Sequence, residues 1–144
     1  MTTVRSILQA KGHQVVSSSP DTSVSTALEL MAEKNIGALV VIKDGVLAGM
    51  FSERDIVREV ASKGKNALDG VVKDLMTSIV FTVSPDQSIE DCMAAMTAKR
   101  IRHLPVLDQQ RLVGIISIGD IVKEIVSDKE HLIKHLENYI TGTR

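Results

Sequence analysis

A stretch of 39 residues, Ser19 to Val57, recurs without a gap at Ser84 to Val122, with 15 positions identical and a constant offset of 65. This repeat is the tightest constraint on the fold, because units so small cannot each bury a sufficient core and must pack against one another. Its centre is Gly49-Met50-Phe51-Ser52-Glu53-Arg54-Asp55-Ile56-Val57, matched by Gly114-Ile115-Ile116-Ser117-Ile118-Gly119-Asp120-Ile121-Val122. An apolar run that stops at serine and resumes at helical spacing reads as a strand feeding a helix, with Ser52 or Ser117 at the N-cap.

The Ser-x-x-Asp phrase has two readings. In the first it is a capping box, hydroxyl and carboxylate satisfying free amides of their own helix. In the second it is a nucleotide site. A helix start offers free N–H groups and partial positive charge to phosphate, and a carboxylate one turn in can accept hydrogen bonds from the two vicinal hydroxyls of a ribose. Duplication of the whole frame around the phrase favours the second reading.

Each repeat opens with a short helical piece, Thr3 to Gln9 or Val71 to Leu75, and a brief extended segment, Val15-Val16 or Val80-Phe81-Thr82. Ser-Pro-Asp then supplies turn and helix-start chemistry. Val24, Ala27, Leu28 and Met31, matched by Ile89, Cys92, Met93 and Met96, fall at helical spacing and read as core. Ala38 to Ile42 and Val46 to Phe51, separated by Lys43-Asp44-Gly45, read as a hairpin; so do His103 to Leu107 and Arg111 to Ile116 around Asp108-Gln109-Gln110. The order per repeat is strand, helix, strand, strand, helix. The expected organisation is a first repeat over 1–61, an exposed linker over 62–70, a second repeat over 71–126 and a helical extension over 127–144. Ile121, Ile125, Leu132, Leu136 and Tyr139 carry a stripe onward past Ser127-Asp128-Lys129, which interrupts it. Continuous helix from Ile118 to Tyr139 would be roughly 33 Å long, more than one small repeat can cover, so a second chain is the expected cover.

Seventeen basic against eighteen acidic residues leave a formal charge of −1, which provides no general field for nucleic acid or an anionic membrane. With two Phe, one Tyr and no Trp, stacking platforms for single strands are also missing. No apolar run reaches membrane-spanning length. A single cysteine, Cys92, excludes an internal disulfide and any Cys-x-x-Cys site, and its counterpart Ala27 marks it as a core residue. The first twenty residues hold Arg5 and Lys11 and no acid, in the manner of an organelle presequence. Val4-Arg5-Ser6-Ile7-Leu8, however, resembles Val72-Lys73-Asp74-Leu75-Met76 and belongs to the repeat, so a cytoplasmic protein is the expectation.

Two copies of strand-helix-strand-strand-helix, each with Gly-apolar-apolar-Ser-x-x-Asp, resemble the CBS domain (cystathionine β-synthase domain) in tandem, a Bateman module. The phrases Asn35-Ile36-Gly37-Ala38-Leu39-Val40-Val41, Phe51-Ser52-Glu53-Arg54-Asp55, Arg100-Ile101-Arg102-His103-Leu104-Pro105-Val106 and Ser117-Ile118-Gly119-Asp120 carry the likeness. With the extended tail they are similar to stand-alone CBS-pair proteins of bacteria and plant organelles. The resemblance implies an α/β (α+β) fold of two βαββα repeats with pseudo-twofold symmetry. It also implies two clefts for adenosine compounds: AMP first, then ATP, ADP, NAD or S-adenosylmethionine.

Carried over by position, Asp55 and Asp120 would each hold a ribose diol, and Ser52 and Ser117 would meet phosphate or ribose, with Ile118 and Gly119 in the same helix start. The positions before the second strand, which touch phosphate in the family, are Arg102 and His103 in one repeat but Gly37 and Ala38 in the other. Arg102 and His103 would thus bring cations from one half and Arg54 from the other, so the clefts should differ in affinity. Gly37 and Gly119 could leave room for a bulkier ligand. Adenine would rest on main chain and apolar walls near Val15 to Ser17 and Val80 to Thr82, with Ile36 and Ile101 nearby.

The expected function is non-enzymatic: an adenine-nucleotide sensor, homodimeric through its CBS faces and tail helix, that signals to an unknown regulated protein. The alternative is a dimerisation module with empty clefts. A Ser117–His103–Asp120 hydrolase lacks a Gly-x-Ser-x-Gly elbow, and neither Gly-x-Gly-x-x-Gly nor a P-loop motif occurs. His131 and His135, four apart, read as a solvated helix face and not a metal pair.

Overall fold

The computed structural model describes residues 2–141. The elements are α1 (Val4–Lys11), β1 (Ser17–Ser18), α2 (Val24–Lys34), β2 (Ala38–Lys43), β3 (Val46–Ser52), α3 (Glu53–Lys63), α4 (Val72–Leu75), α5 (Ile89–Lys99), β4 (His103–Asp108), β5 (Arg111–Ser117) and α6 (Ile118–Thr141). Ser23 and Ser88 start α2 and α5 by accepting hydrogen bonds from the N–H groups of Thr26 and Asp91. The connection read as a loop is helical at its beginning: α3 continues to Lys63, and Gly64–Asn66 form a single 3-10 turn.

Both hairpins close with two residues at positive φ, Asp44 and Gly45 in one and Gln109 and Gln110 in the other. Asp-Gly suits such a turn, whereas the two glutamines adopt it because the flanking strands dictate the register. β2 pairs with β3 so that Ala38 faces Ser52, and β4 with β5 so that His103 faces Ser117.

The extended segments before the helices differ from expectation. In the first repeat the strand falls at Ser17–Ser18, just after Val15-Val16, and pairs in parallel with β2. In the second repeat no strand forms over Val80 to Thr82, and the contact shrinks to a single bridge from Val83 to Val106. Proline explains the loss. Val40 donates its N–H to the Val16 carbonyl, but its counterpart 65 residues on is Pro105, which has no N–H to offer Phe81.

The core shows an exchange that the repeat did not announce. Val4, Ile7 and Leu8 of α1 pack among Val83, Ile89, Cys92, Met96, Leu104, Val106, Ile116 and Ile121 of the second repeat. Val72 of α4, with Leu75 and Met76 beside it, packs among Val24, Ala27, Met31, Leu39, Val41 and Phe51 of the first. Each repeat therefore lends its leading helix to the other. The loans are matched in detail, Arg5 pairing with Asp86 at 3.0 Å and Lys73 with Asp21 at 3.3 Å.

The exchange also explains the glycine that opens the repeated phrase. A Cβ on Gly114 would lie 2.6 Å from Leu8 Cδ2, and one on Gly49 would lie 2.7 Å from both Met76 Sδ and the Thr77 carbonyl oxygen. Only a residue without a side chain lets the borrowed segment lie that close.

The tail is one helix of 24 residues; Ser127-Asp128-Lys129 sit inside it and do not interrupt it. Val122, Val126, Leu132, Leu136 and Tyr139 are exposed along it, and Val57 and Val60 are exposed on α3. Residues 142–144 of the expected extension lie outside the described residues. Among the described residues no helix is long and apolar enough to cross a membrane.

Candidate functional site

The strand-to-helix junctions β3–α3 and β5–α6 place the two Ser-x-x-Asp phrases. Asp55 Oδ2 accepts the Ser52 N–H at 2.8 Å and the Ser52 hydroxyl at 3.3 Å. Asp120 Oδ2 accepts the Ser117 N–H at 2.8 Å, and Ser117 Oγ accepts the Asp120 N–H at 3.1 Å. The capping reading is therefore realised in both halves, each with one carboxylate oxygen turned back to the helix start. The other oxygen, Oδ1, makes no hydrogen bond among the described residues in either case.

The halves diverge in what else reaches the carboxylate. Lys11 Nζ lies 2.6 Å from Asp120 Oδ2 and donates also to the Ile115 carbonyl at 2.8 Å. Asp55 has no ion pair among the described residues. The difference follows from helix length, since α1 spans eight residues and α4 four. In the first half, where α4 has already ended, the Thr77 main chain bonds Met50, the counterpart of Ile115, in both directions. In the second half the added turn of α1 delivers a lysine side chain to that strand edge. Lys11 escaped sequence reasoning because it lies where the offset between the repeats changes from 65 to 68 and has no aligned partner.

The charges around Asp120 fix its protonation. Burial raises its pKa, but hydrogen bonds from Lys11 and Ser117 outweigh that and hold the carboxyl below the ordinary carboxylate value. His103, opposite Ser117 on β4, is pushed below its usual value by burial first and by Lys11 and Arg102 in addition, against the opposing pull of Asp120 and Glu53. His103 is thus biased toward its neutral form. Burial, then Asp91, raises the Cys92 thiol to about 11, so it is an inert core group.

Two grooves open nearby, related by the repeat. The first, about 310 Å³, is lined by Leu28, Met31, Ala32, Asn35, Ile36, Gly37 and Glu53. The second, about 350 Å³, is lined by Arg54, Met96, Thr97, Arg100, Ile101, Arg102 and Ile118. Arg54 crosses from α3 to the second repeat, where its guanidinium donates to the Arg100 carbonyl. Arg54 from the first repeat and Arg102 from the second line one groove together with Arg100, and the other groove holds Glu53. The space foreseen beside Gly37 is partly filled as well, because the Glu53 carboxylate would lie 3.4 Å from a Cβ there.

The structure brings Arg54, Arg102 and Ile118 together with Ile101, and Gly37 with Ile36. Ser52, Asp55, Ser117, Asp120, Ala38, His103, Gly119, Ser17, Val80 and Thr82 line neither groove. Arg100 and Glu53 stood in the quoted phrases but were not assigned a role. Arg100 ends α5 in the left-handed conformation, φ 56°, where its counterpart Asn35 is a more usual occupant.

The family model of the CBS domain matches residues 4–62 and 72–127. The chain belongs to the CBS-domain family. This CBS pair is 35% identical over 150 residues to the mitochondrial CBS domain-containing protein CBSX3 of Arabidopsis thaliana, covering 98% of the chain and 73% of that relative. Its fold matches the crystal structure of the CBS-domain protein ATU1752 from Agrobacterium tumefaciens with a TM-score of 0.84 at 42% identity, covering 85% of this chain and 98% of that one. It also matches that of CBSX2 in complex with AMP, with a TM-score of 0.75 at 30% identity over 90% of this chain and 99% of that one.

Proposed function

We propose that this CBS pair is a non-catalytic regulatory module that binds adenosine nucleotides, AMP before ATP, ADP, NAD or S-adenosylmethionine, and passes the bound state to a regulated protein. The observation that carries the reading is the convergence of Arg54, Arg100 and Arg102, drawn from both repeats, on one groove of an otherwise near-neutral protein. Guanidinium groups in a partly enclosed groove give phosphate charge-assisted, forked hydrogen bonds. Arg100 keeps a backbone conformation costly for its residue type, which suits a position held for its side chain. The AMP held by CBSX2, at 30% identity, supports the choice of ligand.

In this reading the Oδ1 atoms of Asp55 and Asp120 take ribose hydroxyls, and the Ser52 and Ser117 helix starts lie toward phosphate or ribose. The exposed apolar side chains of α3 and α6 support a homodimer joined along these helices. A ligand can move such a module only through its differing affinity for two states, so nucleotide should change the relation of the repeats or of the paired chains.

Isothermal titration with AMP, ATP, NAD and S-adenosylmethionine tests the reading. AMP should give saturable heat that an Arg102→Ala variant weakens. Absence of heat and of thermal stabilisation with all four refutes it. The second reading, a dimerisation module, is favoured by the same apolar helix faces. It predicts that truncation after Val126 abolishes the dimer and that no nucleotide binds either form.

A further inference from the structure

Asp120 and Asp55 are equivalent by sequence yet not by contact. Each Oδ2 is filled twice, but by different donors: Asp55 by the N–H and the hydroxyl of its own Ser52, at 2.8 and 3.3 Å, and Asp120 by the Ser117 N–H at 2.8 Å and by the charged Lys11 Nζ at 2.6 Å. A carboxylate grips the two hydroxyls of a ribose best with both oxygens; the Ser52 hydroxyl can rotate away to free Asp55 Oδ2, whereas a charged lysine has to be pulled off Asp120 Oδ2. The lysine is not a wandering surface chain. Its side chain is only 33% exposed, it is also bonded to the Ile115 carbonyl, and its helix is pinned by Leu8 against Gly114 and by Arg5 on Asp86. Beyond the helix end, His13 Nδ1 bonds the Val113 carbonyl on the same strand edge, which holds the segment down on both sides of Lys11.

We infer that Lys11 is a latch on the second cleft, holding Asp120 so that a ribose can engage it fully only after the lysine is displaced, while at Asp55 only a serine hydroxyl has to turn away. The inference rests on the proposed role of the two aspartates. It adds that the second cleft binds more weakly than its own groups would allow, and that the N-terminal helix sets by how much. Lys11 acts on the ligand through Asp120 and is a positioning residue.

The test is calorimetric titration of AMP into Asp55→Asn, which isolates the second cleft, and into Lys11→Met/Asp55→Asn. Removing the competing charged hydrogen bond should raise second-cleft affinity by about tenfold. Lys11→Arg/Asp55→Asn, which restores a cation, should behave as Asp55→Asn alone. If Lys11→Met unfolds the chain, Lys11→Gln, which can still bond the Ile115 carbonyl, replaces it. Unchanged or weaker affinity without the lysine overturns the latch, a weaker one making Lys11 a phosphate ligand. If the wild-type protein takes up no AMP, the nucleotide reading itself has failed. If it binds AMP and the lysine variants gain nothing, only the latch has.

Discussion

Substituting Asp55 by asparagine separates the two jobs that its carboxylate is proposed to hold. In the structure Oδ2 accepts the Ser52 N–H at 2.8 Å, while Oδ1 has no partner among the described residues. Asparagine can keep its one carbonyl oxygen on the Ser52 amide, which puts an NH₂ donor where Oδ1 stood. The helix start then loses only its charge, worth about 0.3–1 kcal/mol, and the unfolding midpoint should fall by no more than about 2–4 °C. A ribose hydroxyl meeting NH₂ in place of a carboxylate oxygen loses one charged hydrogen bond and gains an unmatched donor. At about 1.5–3 kcal/mol for each such bond, AMP affinity in the first cleft should drop roughly a hundredfold. Calorimetry gives the affinity and a thermal melt the stability. An Asp55→Asn protein that binds AMP as the wild type does, or whose melting falls by tens of degrees, would refute the reasoning: the carboxylate would then be a cap and nothing more.

Leu8→Ala should destabilise the chain by about 2–5 kcal/mol in urea unfolding, because Leu8 is buried in the second repeat's core although it belongs to the first repeat. A loss below about 1 kcal/mol would contradict the exchanged packing. His103 should make stability fall as pH drops below its ordinary value of 6.5, since the unfolded chain takes up a proton there that the folded imidazole, with its lowered pKa, refuses. Asp120, whose folded pKa is depressed, contributes stability that is complete above the ordinary carboxylate value and lost as pH falls through its folded value. Urea midpoints at pH 7.5 and 5.5 should differ for the wild type and hardly for His103→Asn; equal slopes in both would exclude His103 as the source.

Most of the architecture was legible because the repeat fixed it twice over. Val24, Ala27 and Met31 and their counterparts Ile89, Cys92 and Met96 are buried where helical spacing put them. The hairpins and the helices after Ser52 and Ser117 fall within a residue or two of expectation. What stayed hidden depended on contacts that no local pattern encodes. The stripe Val4, Ile7, Leu8 says that a face is buried but not in which core, so the exchange was invisible. Pro105 cancels a strand pairing with Val80 to Thr82, far upstream of it, an effect legible only once the register with Val40 is known. In the site, Asp55 and Asp120 were read alike because their phrases are alike, whereas the lysine that distinguishes them comes from 109 residues away. That Arg54 reaches across to the Arg100 carbonyl of the other repeat was hidden for the same reason.

The traded leading helices have a consequence for ancestry. A chain holding only one such unit owns both a plug and a socket. Two identical copies fit reciprocally, which is an assembly closed by twofold symmetry. Joining them end to end turns a bimolecular encounter into an intramolecular one and frees the halves to drift apart. The lysine delivered to one half alone is drift of that kind, and it is how a symmetric ancestor could come to own two unequal pockets.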